Sequence, residues 1–437
     1  MGARETALNV LIACRKDGAW SNGVLKTYIA RDRLDGRDSA LASRLCYGVI
    51  QNRGCLDFYL CQLLTGKLEK LHPALRDILH LGLYQIYYMD KIPESAAVNE
   101  SVTLAKRYCP KQQTAPGLVN GVLRSAVRTK GALQEPTSWE DKYSHPGDLI
   151  NLLKTYVGKD RIEPMLRANN AIAPMTVQVN TLKISSADLC QKLLSEGVTA
   201  ETHPWLPNTL ILTNTGSIEH LPSFREGLFY VQDAAANLSI LCAEIQPGQR
   251  VLDCCGAPGG KSFAAAIAMG DKGRITTCDV YPHKMELIAK GASRLGLDCI
   301  SAQLQDATVF CPEWAGTMDT VIADVPCSGL GIIRKKPDIR YKSLAEIAEL
   351  PALQRQILEN VCRYVKPGGL LLYSTCTLVR AENEGMVEAF LADHPDFVTE
   401  PLPLPAIFSG NENGMLALVP GEYDTDGFFI CRLRRKV

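Results

Sequence analysis

Two cysteines stand in short polar motifs where a thiol could react. Cys327 lies in D-V-P-C-S-G-L-G, residues 324–331, and Cys376 in Y-S-T-C-T, residues 373–377. A thiolate can form a covalent intermediate that divides one difficult step into two easier ones. A metal-binding role is disfavoured. The chain has 16 cysteines and 7 histidines, yet no two cysteines have C-x-x-C spacing and the histidines do not cluster near them. Reduced thiols in the cytosol are the expectation, and most of them should be small core residues. Cys14, Cys46, Cys190, Cys242 and Cys362 fall within helical apolar patterns and read that way.

A third motif precedes the two cysteines. D-C-C-G-A-P-G-G-K-S, residues 253–262, joins an apolar strand to the helical run S-F-A-A-A-I-A. The segment Cys255, Gly256, Ala257, Pro258, Gly259, Gly260 and Lys261 reads as a ligand-binding loop, because glycines let backbone approach a ligand closely. A phosphate loop, G-x-x-x-x-G-K-[ST], would require glycine at position 255, which is cysteine; Gly256 is one residue too late. The dinucleotide pattern G-x-G-x-x-G is also missing from this turn.

Alternating strands and helices follow from about residue 236. The strands read R-V-L-D-C-C, R-I-T-T-C-D-V, I-S-A-Q-L-Q-D, D-T-V-I-A-D-V and L-L-L-Y-S-T. Near-continuous apolar strands suit a parallel sheet covered on both faces, where ligands bind beyond the carboxyl ends. Four such ends carry an aspartate: Asp253, Asp279, Asp306 and Asp324. One alone could be a helix N-cap. All four along one edge suit a ligand with ribose hydroxyls, an adenine amine and an ammonium, and without phosphate, which describes S-adenosylmethionine. M-L-A-L-V-P and G-F-F-I-C-R-L flank a turn-rich stretch and read as a hairpin forming an antiparallel edge.

Upstream the pattern differs. Residues 1–130 carry helical stripes, such as Leu75, Ile78, Leu79, Leu83 and Ile86 behind Pro73, and predict a bundle. This region holds 19 Lys/Arg against 11 Asp/Glu, although the whole chain is neutral. That asymmetry suggests a polyanion-binding module. Residues 131–146 lack periodicity and read as a linker. Residues 147–235 read as a small α+β domain, and residues 236–437 as the catalytic domain. No apolar run approaches the roughly 20 residues of a membrane span, and the N-terminus has no apolar signal core.

The combination D-C-C-G-A-P-G-G-K, D-V-P-C-S-G-L-G and Y-S-T-C-T resembles the Sun/NOP2 family of RNA cytosine-C5 methyltransferases. F-R-E-G-L-F-Y-V-Q-D, residues 224–233, looks like that family's entry to the catalytic domain. The N-terminal bundle is similar to the NusB RNA-binding domain, a pairing that points to the bacterial RsmB branch. The resemblance implies a multidomain fold: an all-α NusB-like bundle, an RRM- or ferredoxin-like α+β domain, and a Rossmann-like class I methyltransferase domain. It implies S-adenosylmethionine as cofactor and 16S rRNA, free or partly assembled into the small subunit, as partner, with cytosine 967 as the family's target. A cytoplasmic monomer with neither metal nor membrane partner is expected. Methylation of tRNA, or a non-catalytic RNA-binding regulator, are the alternatives.

Two thiols then acquire a purpose. Carbon 5 of cytosine is a poor nucleophile, and a thiolate adding to carbon 6 makes an enamine-like adduct whose carbon 5 can attack the sulfonium methyl. The adduct must afterwards lose its carbon-5 proton and expel the sulfur. Position alone leaves open which cysteine attacks. The resemblance assigns attack to Cys376 and release to Cys327, whereas in cytosine-C5 DNA methyltransferases the P-C motif supplies the nucleophile. Asp324 could bond the protonated ring nitrogen 3. The resemblance also puts Lys261 in this pocket, where an ammonium would favour a thiolate or contact cofactor or phosphate. R-K-K-P-D-I-R, residues 334–340, offers four cations suited to RNA phosphates.

Overall fold

The computed structural model describes residues 1–17, 20–408 and 413–437. The chain forms two compact units. The first contains residues 1–155, 159–170 and 333–342; the second contains the remainder.

The first unit is helical. Its central helix, Pro73–Tyr88, has proline in its first turn, where the missing N–H costs no hydrogen bond. The stripe expected on this helix is buried, and so are His80, Leu81 and Gly82 between its members. Asp77 and Gln85 are buried as well, so this helix is enclosed on most of its sides. Helices Ala3–Asp17, Gly36–Gln51, Glu94–Tyr108 and Ala115–Arg128 pack around it. At Gly82 a Cβ would run into Leu123 and meet Ser101, so glycine permits this close helix packing.

The expected linker contains a short helix, Trp139–Tyr143. Ser138 caps it by accepting the Asp141 N–H at 3.1 Å, with Glu140 and Asp141 in the first turn favourably placed against the helix dipole. Capping chemistry compensates for the missing apolar period.

The second unit holds two sheets. In the smaller, β1 (Met175–Val179), β2 (Thr199–His203), β3 (Leu206–Thr213) and β4 (Phe229–Val231) run antiparallel in the order β2-β3-β1-β4. Helix Ser186–Ser195 covers one face, burying Leu189 and Leu193 with Val177, Leu210 and Phe229. β2 is mostly polar, and β4 is three residues long. Neither shows the apolar alternation of a half-buried strand, so the sequence pattern did not reveal them.

The larger sheet comprises β5 (Arg250–Asp253), β6 (Arg274–Asp279), β7 (Ile300–Leu304), β8 (Met318–Asp324), β9 (Val365–Thr375), β10 (Phe397–Thr399), β11 (Met415–Leu418) and β12 (Phe428–Arg435). Its order is β10-β12-β9-β8-β5-β6-β7, with β11 also on β12. β7, β6, β5, β8 and β9 are parallel, and β12 is antiparallel to its three neighbours. The order reverses between β5 and β8, the switch point at which such sheets bind ligands. The expected C-terminal hairpin is the β11–β12 pair.

Candidate active site

The loop after β5 is held from beneath. Asp253 is fully buried and accepts the Ser262 hydroxyl at 2.7 Å. Ser262 also lies 2.7 Å from the Thr277 hydroxyl on β6. The Gly256 N–H donates to the Cys278 carbonyl at 2.8 Å. A Cβ at Gly256 would collide with Thr277 and the Asp253 carboxyl. Gly259, at φ 112°, takes the left-handed turn into helix Gly260–Ala268, whose first turn carries no acidic side chain. Burial pushes the Asp253 carboxyl up to about 6, against the Ser262 hydrogen bond and the Lys261 charge, which pull it down. Asp253 therefore shapes the loop from below.

Three further aspartates mark the neighbouring strands. Asp279 ends β6, is buried, and accepts the Tyr281 N–H at 3.2 Å and the Lys284 ammonium at 3.1 Å. Asp306 lies two residues beyond β7, is exposed, and accepts the Thr308 N–H and hydroxyl at 2.8 and 2.7 Å. The Gln305 N–H donates to the Asp279 carbonyl at 3.3 Å, which brings these two strand ends together. Asp324 ends β8, where one oxygen takes the Lys261 ammonium at 2.7 Å and the other the Ser374 hydroxyl at 2.8 Å. Lys261 is 9% exposed and sits 5.0 Å over the Phe428 ring. Its charge is spent on Asp324, which argues against a phosphate cradle. Carboxylate acceptors at successive strand ends beside a glycine loop suit hydroxyls and amines, the donor set of S-adenosylmethionine. Val280 and Tyr281, exposed after Asp279, add an apolar surface at this edge that strand reading did not single out.

The two thiols meet. β8 and β9 are adjacent and parallel, and both cysteines follow their carboxyl ends. Cys327 Sγ lies 3.2 Å from Cys376 Sγ and accepts the Cys376 backbone N–H at 3.3 Å. The loops are laced together: the Val325 N–H donates to the Ser374 carbonyl and the Gly331 N–H to the Cys376 carbonyl. The hydrogen bond with Cys376 pushes the Cys327 thiol well above its ordinary range, and burial and the charges of Cys376 and Glu382 push the same way. Cys327 is thus held protonated, and either sulfur can supply the hydrogen of the contact between them.

Beneath this pair lies a polar layer that the motifs did not disclose: Ser328, Gln354, Thr377, Glu382 and Asn383, all buried. Ser328 and Thr377 were visible as motif members without a role. Nothing in the local pattern marked Gln354 or Glu382, which act through contacts 28 and 54 residues away.

The cationic stretch after the P-C motif departs from expectation. Arg340 is 1% exposed and belongs to the helical unit. Its guanidinium donates to the carbonyls of Gln51, Tyr143, Ser144 and Pro337 and to the Asn170 side chain. Burial lowers its pKa to about 10. Arg334 is also buried, while Lys335 and Lys336 are exposed. Two of the four expected phosphate contacts are therefore internal, because a guanidinium's five donors suit a pocket of carbonyls. Among the described residues, no group of three or more His, Cys, Asp or Glu is placed to hold a metal ion, and no helix is long and apolar enough to cross a membrane.

Residues 1–128 match the NusB family, residues 145–219 the RsmF/B-like ferredoxin-like domain, and residues 240–434 the family described as 16S rRNA methyltransferase RsmB/F. A probable ribosomal RNA small subunit methyltransferase B from Bacillus subtilis is 35% identical, over 99% of this chain and 98% of that protein. The chain belongs to the RsmB/F methyltransferase family. A Synechocystis protein described in the same words is 36% identical over the full length of both chains. The crystal structure of a methyltransferase homologue from Pyrococcus horikoshii superposes with a TM-score of 0.55 at 29% identity, covering 65% of this chain and 93% of that one. Membership makes this an S-adenosylmethionine-dependent RNA cytosine-C5 methyltransferase with a NusB helical domain, a ferredoxin-like domain and a Rossmann-like catalytic domain.

Proposed function

We propose that the chain methylates carbon 5 of one cytosine in 16S rRNA, with cytosine 967 as the family expectation, through a covalent bond from Cys376 to carbon 6. The observation that carries this reading is the 3.2 Å separation of two sulfurs at the ends of β8 and β9. Methylating a nitrogen, which is already nucleophilic, would need no such pair.

Bound S-adenosylmethionine supplies an electrophilic methyl group. Residues 255–261 would line its methionine end with Asp324, Asp279 would accept its ribose hydroxyls and Asp306 its adenine amine. The Cys327 S–H, held protonated, stabilises a thiolate on Cys376 by donating to it. As the Cys376 sulfur bonds to carbon 6, ring nitrogen 3 takes a proton from solvent water, which it gives back when that bond later breaks, and Asp324 accepts a hydrogen bond from the N3–H. After methylation, the carbon-5 proton leaves through Cys327, to a water bonded to its thiol, and passes on to solvent. The Cys376–carbon 6 bond then breaks and returns its electron pair to sulfur. The base must leave its stack to reach this pair, which costs least in a single-stranded loop.

Adduct trapping tests the roles. With RNA and S-adenosylmethionine, Cys327→Ala is expected to give a protein–RNA species that survives denaturing electrophoresis, and Cys376→Ala none; the reverse pattern would exchange the roles. Bisulfite sequencing of RNA from a deletion strain is expected to lose one 16S cytosine signal. Loss of a tRNA signal with 16S unchanged would overturn the substrate.

A further inference from the structure

Glu382 is fully buried beneath the two cysteine loops. One carboxylate oxygen accepts the Ser328 N–H at 2.8 Å and the Gln354 side-chain amide at 2.9 Å. The other takes the Thr377 hydroxyl at 3.4 Å. Ser328 directly follows Cys327, Thr377 directly follows Cys376, and the two hydroxyls lie 2.6 Å apart. The Gln354 amide also donates to the Pro326 carbonyl at 3.0 Å. Cys327 is thereby anchored on both sides, through Pro326 and Ser328.

Cys376 is anchored in the same manner by the neighbouring residue. The Asn383 amide donates to the Thr377 carbonyl at 3.0 Å, and its oxygen accepts the Thr375 hydroxyl at 2.6 Å. The Tyr373 hydroxyl donates to the Glu382 carbonyl at 2.6 Å and fixes the turn itself. Four tethers, two beside each cysteine, converge on Glu382, Asn383 and Gln354.

We infer that Glu382 is the positioning residue that sets the distance between the two reactive sulfurs, acting through Ser328 and Thr377 and without touching the RNA base. The inference rests on the proposed roles of the cysteines for its catalytic consequence, but its geometric content stands apart from them. A buried carboxylate needs donors, and here Ser328, Thr377 and Gln354 each belong to, or are tethered to, a cysteine loop. A general packing role would not require that. Glutamine at this position can keep the arrangement: its oxygen accepts from Ser328 and Gln354, and its amide donates to Thr377. Alanine leaves the Ser328 N–H and one Gln354 amide hydrogen without an acceptor and loosens the link between the two loops.

The test reads sulfur proximity in the full-length protein without RNA. Diamide takes up the two thiol hydrogens and leaves a Cys327–Cys376 disulfide, which peptide mapping by mass spectrometry quantifies over time. The wild type and Glu382→Gln are expected to cross-link within about twofold of one another, and Glu382→Ala about tenfold or more slowly. In single-turnover methylation, Glu382→Ala is expected to lose roughly 100-fold in rate, the size of effect that a 1 Å misplacement can have. The KM for S-adenosylmethionine should stay within about threefold, and Glu382→Gln should recover most of the rate. If Glu382→Ala does not fold, Gln354→Ala, which removes only the Pro326 tether and one Glu382 donor, is expected to slow the cross-link measurably. Unchanged cross-linking in Glu382→Ala, or in Gln354→Ala where that variant stands in for it, overturns the inference. Exchanged cysteine roles in the adduct assay would leave the cross-linking result intact, so the two readings fail separately.

Discussion

Cys327 Sγ accepts the backbone N–H of Cys376 at 3.3 Å while lying 3.2 Å from the Cys376 sulfur. The two thiols are therefore unequal within one dyad, and protons leave the pair in sequence. Cys327 is the partner whose thiol is pushed up, first by its bond with Cys376. A raised thiol stays protonated as pH climbs through the ordinary thiol range, so Cys327 offers little thiolate there. Iodoacetamide at about pH 8 is expected to label Cys376 roughly tenfold or more faster than Cys327, because the thiolate is the reacting form. Cys376→Ala removes the leading cause of the shift and should accelerate labelling of Cys327. Mapped peptides give both rates, and preferential labelling of Cys327 in the wild type would contradict the assignment.

The Lys261–Asp324 pair lies between the cofactor loop and the β8 end. Asp324 is held from two sides, by Lys261 and Ser374, so its oxygens are oriented before substrate arrives. Asp324→Asn keeps the shape but removes the acceptor charge facing a developing ring cation. Loss of one such preorganised partner costs about 10²–10³ in kcat. The expectation for Asp324→Asn is a fall of that size in single-turnover methyl transfer, with the KM for S-adenosylmethionine changed by less than about tenfold. Lys261→Met should lower the same rate by a smaller factor, since Ser374 still orients the carboxylate. Equal losses in kcat and cofactor affinity would instead assign Asp324 to cofactor binding alone.

Much of this site was legible because its chemistry is written in contiguous residues. The glycine loop, the P-C and T-C motifs and the aspartates ending β5, β6 and β8 need only strand–turn–helix reading to be located. Asp306 was legible in part: it follows β7 but stands exposed in its own turn with Thr308. What escaped depends on partners distant in the chain. Glu382 has no local signature, and its meaning comes from Ser328 and Gln354. Arg340 looked like a phosphate ligand because four cations in seven residues normally face water. Apart from the Pro337 carbonyl, its partners lie 170 to 289 residues away and cannot be seen in a linear pattern.

Asp253 gives the catalytic unit a defined pH response. Its carboxyl moves from an ordinary 3.8 to about 6 through burial. With a raised pKa, the folded state prefers the protonated form. That stabilisation is fully present below about pH 4, is lost as pH rises toward about 6, and leaves a constant cost above it. The shift of about two units corresponds to roughly 3 kcal/mol. Asp253→Asn keeps an oxygen for the Ser262 hydroxyl and cannot ionise. The difference in unfolding free energy between wild type and Asp253→Asn is therefore expected to move in favour of the variant between about pH 4 and 6 and to stay flat above. Denaturant melts across that window provide the measurement, and a pH-independent difference would rule out an ionising Asp253.

Arg340 separates two uses of a cation. If its guanidinium supports the helical unit, Arg340→Met leaves the Gln51 and Ser144 carbonyls without this donor, while the Tyr143 carbonyl keeps His145 and Asn170. Buried groups stripped of a partner cost about 1–3 kcal/mol each, so a destabilisation of at least ~2 kcal/mol is expected in denaturant unfolding. The salt dependence of RNA binding by the folded fraction should be unchanged, because that slope counts neutralised phosphates. Lys335 and Lys336 are exposed in the same segment. Replacing both by alanine is expected to leave stability within about 0.5 kcal/mol and, if both meet phosphates on a single strand, to flatten the slope by roughly 1.4. A normal melt with a flattened salt slope for Arg340→Met would return the residue to the RNA-binding surface that its sequence context first suggested.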